Sequence, residues 1–267
     1  MRYWRIARWT PAVLLLALVY VGYRLAWGTP FTIHQLADRQ AVLRLMDDPE
    51  LLTAIGIVDG GWLDWHSGRL TPVGPERRAA ILARDHRFLE QLHRFDRTRL
   101  SGTDRITFDV LETLLTDSIA TERFTYLSSE GVYPLNAMSG TSVSLMYLML
   151  TSHVISNRKL AGHYVQRLEA MGPKLDAVTA EVQRLAQQGI VMPPALVELA
   201  ITSARDTIAP APADNALVTR LALSTAQIEG LDALRRQKLV SRATLAVRDG
   251  VYPAYQRQIR MLSLIHI

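Results

Sequence analysis

Apolar residues recur along most of this chain at the three- and four-residue spacing that places them on one face of a helix. The spacing predicts an amphipathic helix over Ile33 to Met46. Pro75 and Glu76 open another, because proline suits the first helical turn and glutamate suits its positive end. Further helices are predicted over residues 142–155, 157–171, 173–188, 195–208 and 215–224, and from residue 225 onward with a proline inside. Few runs alternate with period two, so the fold is predicted to be all-α.

Turn-forming residues divide these helices. Asp48 and Pro49 begin a short helix that ends at Gly56, and residues 59–74 are predicted to be a loop because they hold four glycines, two tryptophans and a proline. Gly172-Pro173 predicts either a kink or a tight break, and Gly189 is predicted to end a helix.

The segment from Ser101 to Asp104 is predicted to cap the helix that follows it. In that helix we expect the buried face to be the apolar stripe formed by Ile106, Val110, Leu114 and Ile119.

The N-terminus has the pattern of a membrane segment. Arg2, Arg5 and Arg8 precede an apolar run that aromatic residues flank, so residues 1–8 are predicted to be a cytoplasmic basic tail and Trp9 to Trp27 a transmembrane signal anchor. The body would then lie outside the bacterial inner membrane, in the periplasm, and the lipid bilayer would be a partner. A cleaved signal peptide is the alternative, and a buried core helix fits the flanking residues less well.

Composition excludes several classes of protein. Hydrophobic residues make up 49% of the chain and charged residues 21%, which is typical of a globular protein. The net charge of +5 includes the three N-terminal arginines, and the other basic residues are interspersed with acidic ones, so we expect no nucleic-acid partner. The chain has no cysteine, which excludes disulfides and thiolate ligands.

The last six residues, Leu262 to Ile267, spell the translation of a common transposon-adapter DNA end. They arrive within a helical pattern that has no stop signal. We therefore interpret residues 262–267 as an adapter-derived artefact and residues 30–261 as the N-terminal part of a larger helical domain.

Candidate catalytic residues are sparse. His86 and His93 lie seven residues apart on one helix face, a spacing compatible with a metal, although two solvated side chains explain it better. The loop around His66, with its tryptophans and Asp64, could line a binding surface or simply be anchored by the tryptophans. Neither a zinc-binding His-Glu-x-x-His motif nor a Gly-x-Ser-x-Gly motif is present. The residues of this chain predict no catalytic site, no cofactor and no metal ligand.

Five motifs in order resemble the N-terminal half of the bacterial domain-of-unknown-function 885 family (DUF885). They are residues 48–57, 100–111, 133–136, 189–194 and 251–255. The resemblance implies a mainly helical, exported or lipid-anchored protein of about twice this length, similar to zinc metallopeptidases. The family's His-Glu-x-x-Pro-Gly-His type motif belongs to the C-terminal half, so no zinc ligand can be assigned to a residue here.

The resemblance therefore implies zinc and a peptide substrate for a full-length protein, and an inactive fragment here. In that interpretation this chain supplies one wall of a helical substrate cleft, with Tyr133 and Asn136 as candidate cleft-lining residues; a helix-connecting turn is the structural alternative. The competing function is a non-enzymatic, membrane-anchored helical binding module. We also expect Leu145, Met146, Leu148 and Met149 to expose an apolar face that the missing half would cover.

Reporter fusions after Asp38 test the predicted topology. We expect an exported alkaline phosphatase to be active at this point and a cytoplasmic fluorescent protein to be dark, because positive charge keeps the N-terminus inside the cell. The reverse pattern would contradict the predicted anchor.

Overall fold

The structure is a computed structural model that describes residues 3–124 and 131–265, with side chains from Leu15 onward in these ranges. The described residues form eleven α-helices and contain no β-strand, so the predicted all-α class is confirmed. The helices are α1 (Tyr3–Ala26), α2 (Ile33–Met46), α3 (Pro49–Ile55), α4 (Pro75–Leu92), α5 (Gly102–Ala120), α6 (Thr141–Tyr147), α7 (Arg158–Gln187), α8 (Pro194–Ile208), α9 (Ala216–Ala226), α10 (Ala233–Ala246) and α11 (Tyr252–Ile265).

The chain divides into two compact units. The first comprises residues 1–44 and 80–123, and the second comprises residues 45–79 and 124–267. The core of the first unit is built by seven apolar side chains of α2, α4 and α5: Ile33, Leu36, Phe88, Leu92, Phe108, Leu111 and Leu115. Beside it Asp85 is fully buried and accepts hydrogen bonds from Ser118 and Arg44, which is how this single carboxylate is tolerated on the apolar face of α4.

The backbone of α1 is helical over Tyr3–Ala26. The predicted basic tail and residues 9–14 of the predicted anchor lie outside the described side chains. Within the part that is described, no helix combines the length and the apolar character needed to cross a membrane. The anchor at Trp9 to Trp27 stays a prediction.

The second unit is organised around α7, a 30-residue helix. The helices α9, α10 and α11 pack against it. Gly172 lies where the backbone of a π-helical turn, Val247–Val251, comes closest: a Cβ atom at Gly172 would lie 2.8 Å from the carbonyl oxygen of Gly250. Glycine at this position therefore permits backbone-to-backbone packing that any other residue would block.

Most predicted helix boundaries are confirmed, since several are set by side-chain caps. The side chain of Asp48 accepts a hydrogen bond from the amide of Leu51 at the start of α3, and Asn157 does the same for Leu160 at the start of α7. Gly189 follows α7 with φ of 79°, the left-handed conformation expected after a helix. Of the two possibilities at Gly172-Pro173, the structure shows one continuous helix rather than a break.

The predicted long helix from residue 225 onward is confirmed from Ala233 to Ile265, but it is interrupted near its predicted start. Helix α9 runs to Ala226, Gly230 adopts φ of 71°, and Asp232 caps α10 by accepting a hydrogen bond from the amide of Arg235. The π-helical turn at Val247–Val251 then joins α10 to α11 without a break, and Pro253 lies inside this helix as predicted. A glycine in the left-handed conformation ends a helix, and an N-capping aspartate begins the next one. These two residues therefore interrupt the helix that the apolar spacing predicts.

The predicted exposed face at Leu145 to Met149 is also wrong. Helix α6 ends at Tyr147 and continues as a π-helical turn, Leu148–Ser152, instead of running to residue 155. Leu145, Leu148 and Met149 are buried, and Met146 packs against the core that surrounds α7. This face is therefore buried by other residues of the second unit.

The predicted buried stripe of α5 is wrong as well. Ile106, Val110 and Leu114 are each more than half exposed, whereas Phe108, Leu111 and Leu115 are buried. Helix α5 carries apolar residues on two adjacent faces, and spacing alone does not say which of them packs.

Leu114 and Leu115 give a matched test of this face. Leu115→Ala should lower the free energy of unfolding by about 2–5 kcal/mol, because it empties a site in the core. Leu114→Ala should change it by less than about 0.5 kcal/mol, because this side chain is 57% exposed. Urea unfolding measures both free energies, and equal losses of stability in the two variants would contradict the burial of Leu115 and the exposure of Leu114.

Candidate functional site

A buried arginine connects four parts of the second unit. The Arg167 side chain on α7 is 0% exposed. Its guanidinium donates to the carbonyl oxygens of Pro49, His66 and Arg69 at 3.1, 3.4 and 2.9 Å, and to the Thr53 hydroxyl at 2.8 Å. It therefore ties α3 and residues 66–69 of the following loop to the middle of α7.

His153 completes the shell around this arginine. Its Nδ1 atom lies 3.0 Å from Nη1 of Arg167, and its Nε2 atom lies 3.1 Å from the carbonyl oxygen of Leu160. Since the guanidinium can only donate, Nδ1 must accept and Nε2 must carry the proton. Burial, together with the charge of Arg167, lowers the pKa of His153 to about 3. The imidazole is therefore neutral at physiological pH.

The loop of residues 59–74 is held from inside by a second polar cluster. His66 is fully buried and lies 2.8 Å from the Asp59 carboxylate. The carboxylate of Asp64 accepts from the amides of Gly60 and Ser67 at 2.7 and 3.0 Å. Although burial opposes it, these hydrogen bonds lower the pKa of Asp64 to about 2. Asp64 is therefore an anion at every physiological pH.

An ion pair joins α7 to the other end of this loop. Nζ of Lys174 lies 2.5 Å from Oε1 of Glu50, and the same oxygen accepts a hydrogen bond from the amide of Thr71 at 2.9 Å. The hydroxyl of Thr71 donates in turn to Asp48. The end of the loop near Thr71 is thus fixed by Asp48 and by Glu50 of α3, and Lys174 of α7 holds Glu50 in place.

These clusters support the loop and leave Trp62 outside. His66 and Ser67 are inaccessible to solvent, so they offer no surface for a substrate. Trp62 does not anchor the loop, because it is 90% exposed, whereas Trp65 is 38% exposed and its ring contacts the buried His66 edge-on at a centroid distance of 5.9 Å. The idea of a loop anchored by its tryptophans is therefore wrong for Trp62, which faces outward, and the polar side chains of Asp59, His66 and Asp64 hold the loop.

The two residues predicted to line a cleft belong to a tight turn. The side-chain oxygen of Asn136 accepts from the amides of Met138 and Ser139 at 3.0 and 2.8 Å, and its amide group donates to the carbonyl oxygen of Tyr133 at 2.9 Å. Tyr133 itself packs against a core cluster that includes Leu135 and Met192.

An open groove of about 530 Å³ lies beside this turn. Ala137, next to Asn136, forms one edge, and residues of α8 and the start of α9 form the rest: Leu199, Thr202, Ser203, Asp206, Thr207, Asn215 and Ala216, with Met146 and Pro210. Asn215 stiffens the floor, because its amide donates to Thr207 and to the Tyr252 hydroxyl at 2.9 and 3.1 Å. The cleft-lining role of Tyr133 and Asn136 stays a prediction, and Ala137 is the residue of the turn that borders the groove.

His86 of α4 and His93, which directly follows α4, have carboxylate partners on α5 and just after it. His93 lies 2.9 Å from Glu112 and His86 lies 3.4 Å from Glu122, and all four side chains are substantially exposed. Within the described residues no group of three or more histidine and carboxylate side chains is arranged to hold a metal ion. The described residues therefore do not fit zinc.

One feature of the sequence could have indicated the hydrogen-bond network of Arg167. Arg167 lies at helical spacing between Tyr164, Leu168 and Met171, which are all buried. A charged residue within an apolar face is a candidate for a buried and fully hydrogen-bonded cation. Its partners are backbone carbonyls and could not be read from residue types.

Comparisons with known proteins agree with this architecture. Residues 49–264 match the model of a family described as a bacterial protein of unknown function, DUF885. A crystal structure described as the putative lipoprotein from Colwellia psychrerythraea matches with a TM-score of 0.71 at 16% identity, over 86% of this chain and 41% of that one. At this identity the match shows the fold alone, and the chain spans less than half of the solved protein. No curated protein matches the chain.

His153→Gln tests the buried imidazole, because glutamine can also accept from Arg167 and donate to Leu160. The pKa of His153 is about 3 in the folded protein, against an ordinary value of 6.5. Between these values the unfolded chain binds a proton that the folded protein does not. The stabilisation by neutral His153 is thus complete above pH 6.5 and is lost as the pH falls toward 3.

On acidification from about pH 7.5 to about pH 4.5 the variant should lose about 2 kcal/mol less stability than the parent. Urea unfolding at the two pH values measures this. The control variant His86→Gln, which changes an exposed histidine, should lose as much stability as the parent between the two pH values. An unchanged pH dependence in His153→Gln would mean that folding does not lower the pKa of this imidazole.

Proposed function

The chain belongs to the DUF885 family of bacterial proteins, and from this premise we propose that it is the N-terminal, cleft-wall part of an exported, membrane-anchored hydrolase of zinc-metallopeptidase type. The zinc ligands and the general base would lie in a part of the protein that the described residues do not include. The described helices would hold and orient an extended peptide.

The envelope location rests on two independent observations. The arginines before the N-terminal apolar run favour a cytoplasmic N-terminus and an exported body. The solved structure from Colwellia psychrerythraea is described as a putative lipoprotein, and lipoproteins are attached to the cell envelope. A signal anchor would place the helical body at a membrane surface.

The observation that carries the binding role is the groove beside the Asn136 turn. It has the volume of a small-molecule or short-peptide site. Leu199, Met146 and Ala137 give it apolar lining, whereas Ser203 and Thr202 add hydroxyl groups. Peptides pair apolar side chains with a polar backbone, so this mixture suits them.

Zinc, when bound in such a hydrolase, lowers the pKa of a water molecule to about 7 and supplies the attacking hydroxide. In the proposal, no residue of this chain binds zinc or activates the water molecule. The residues around the groove would contribute positioning, which fixes the peptide relative to the reacting centre.

A non-enzymatic binding module is the second candidate. The same groove and the same envelope location serve it equally well, and the lack of a metal-binding cluster among the described side chains is compatible with it. The two candidates differ in whether a longer protein that contains this chain carries zinc and turns over peptides.

The first experiment uses this chain and a longer reading frame recovered from the same genome. The chain alone should bind no zinc tightly in calorimetry and should not hydrolyse peptides, because a tight site needs about three or four converging ligands. The longer protein should hold about one zinc and show turnover that a chelator abolishes. A submicromolar zinc site in this chain alone would overturn the proposal, and an inert, zinc-free longer protein would favour the binding module.

A groove variant then separates binding from chemistry. In the longer protein Ser203→Trp should fill the groove and raise KM about tenfold with little change in kcat or zinc content. Leu223→Trp is the matched control, because Leu223 is an exposed residue of α9 outside the groove. Equal kinetics for the two variants would show that the groove does not bind substrate.

A further inference from the structure

The outer surface of residues 59–74 combines exposed indole rings with cations. Trp62 is 90% exposed and is followed by Leu63, which is 51% exposed. Nζ of Lys159 lies 2.5 Å from the carbonyl oxygen of Gly61, the residue that precedes Trp62 in the chain. The Arg69 guanidinium lies 5.6 Å from the centre of the Trp65 ring. We call Trp62, Leu63, Trp65, Arg69 and Lys159 the indole patch.

The anionic side chains of this loop face the opposite way. Asp64 is buried and accepts from Gly60 and Ser67, and Asp59 accepts from His66. The outward charges of the indole patch are therefore positive, although the loop sequence contains two aspartates. A site for sugars would need outward carboxylates or amides to bind hydroxyl groups, and here the carboxylates are turned inward.

The indole patch is also held in place. The Arg167 and Asp64 clusters hold the loop backbone by hydrogen bonds. Gly60 also packs closely against Asn157 at the start of α7, since a Cβ atom on Gly60 would lie 2.8 Å from Nδ2 of Asn157. Val58, just before the loop, adopts φ of 57°, an uncommon conformation for a β-branched residue. A rigid backbone that keeps large apolar side chains in water indicates that another surface covers them.

We propose that the indole patch docks onto an anionic lipid surface. Tryptophan is the residue that lipid–water interfaces favour, because its ring is apolar and its N–H group is polar. Lysine and arginine beside it would pair with lipid phosphates, and each such cation strengthens binding to an anionic membrane about fivefold. The contact would fix the orientation of the helical body on the membrane. It depends on the proposed envelope location and not on hydrolase activity.

The absence of cysteine allows a clean test with the full chain. Trp62→Cys carries an environment-sensitive fluorophore, and Met138→Cys, at an 83% exposed position outside the patch, carries the same label as the control. With phosphatidylglycerol-containing vesicles the emission at position 62 should shift to the blue and rise at least twofold. Pure phosphatidylcholine should give a smaller change, and the label at position 138 should not respond to either.

A charge variant tests the role of the cations. In the Trp62→Cys chain, Arg69→Gln with Lys159→Gln should weaken the response to the anionic vesicles at least fivefold, because both phosphate-pairing groups are lost. Lys238→Gln, an exposed cation of α10, should have no effect. Circular dichroism melts confirm that each variant is folded.

Two outcomes would overturn the proposal. An emission at position 62 that stays typical of water with both kinds of vesicle would show that lipid does not cover the patch. A blue shift that appears without vesicles and grows with protein concentration would show that a second copy of the chain covers it. A failure of the zinc and peptidase assays would leave this result unaffected, so the two proposals fail separately.

Discussion

Burial of the Arg167 guanidinium is the constraint on which the second unit depends. A cation that is 0% exposed must be fully hydrogen-bonded. Its partners come from α3, from the following loop and from His153, so these segments must converge on α7 for the arginine to be buried at all. Burial lowers the pKa of Arg167 to about 10, yet the group stays charged at neutral pH, and it continues to act as a donor.

The same constraint explains why the loop of residues 59–74 can present apolar side chains to the outside. Its inward hydrogen bonds are made by His66, Asp64 and backbone carbonyls, and none of these bonds involves Trp62. The groove beside the Asn136 turn is built differently, on α8 and on the Asn215–Tyr252 hydrogen bond. The second unit therefore offers two separate surfaces, one mixed in polarity and one aromatic and cationic, and the proposed functions use one each.

Helical spacing and capping residues predicted the fold class, the exact span of α2, the start of α4 and the cap of α3, because these features depend on local chemistry. The errors arose where tertiary packing decides. Two apolar faces of α5 compete, and only the core shows that Leu115 is buried and Leu114 exposed. The Arg167 network could not be predicted, since its acceptors are carbonyl groups far away in sequence, and neither could the outward position of Trp62.

Amide hydrogen exchange in Arg167→Lys, with Arg242→Lys as an exposed control, tests the central claim most directly. Lysine keeps the charge but cannot make the forked set of hydrogen bonds. The account predicts that the amides of Ser67, Arg69 and Thr71, which are bonded within the loop network, exchange at least tenfold faster in Arg167→Lys, while those in the middle of α9 change little. Exchange that stays the same in the loop, or that accelerates equally in α9, would contradict the role assigned to Arg167.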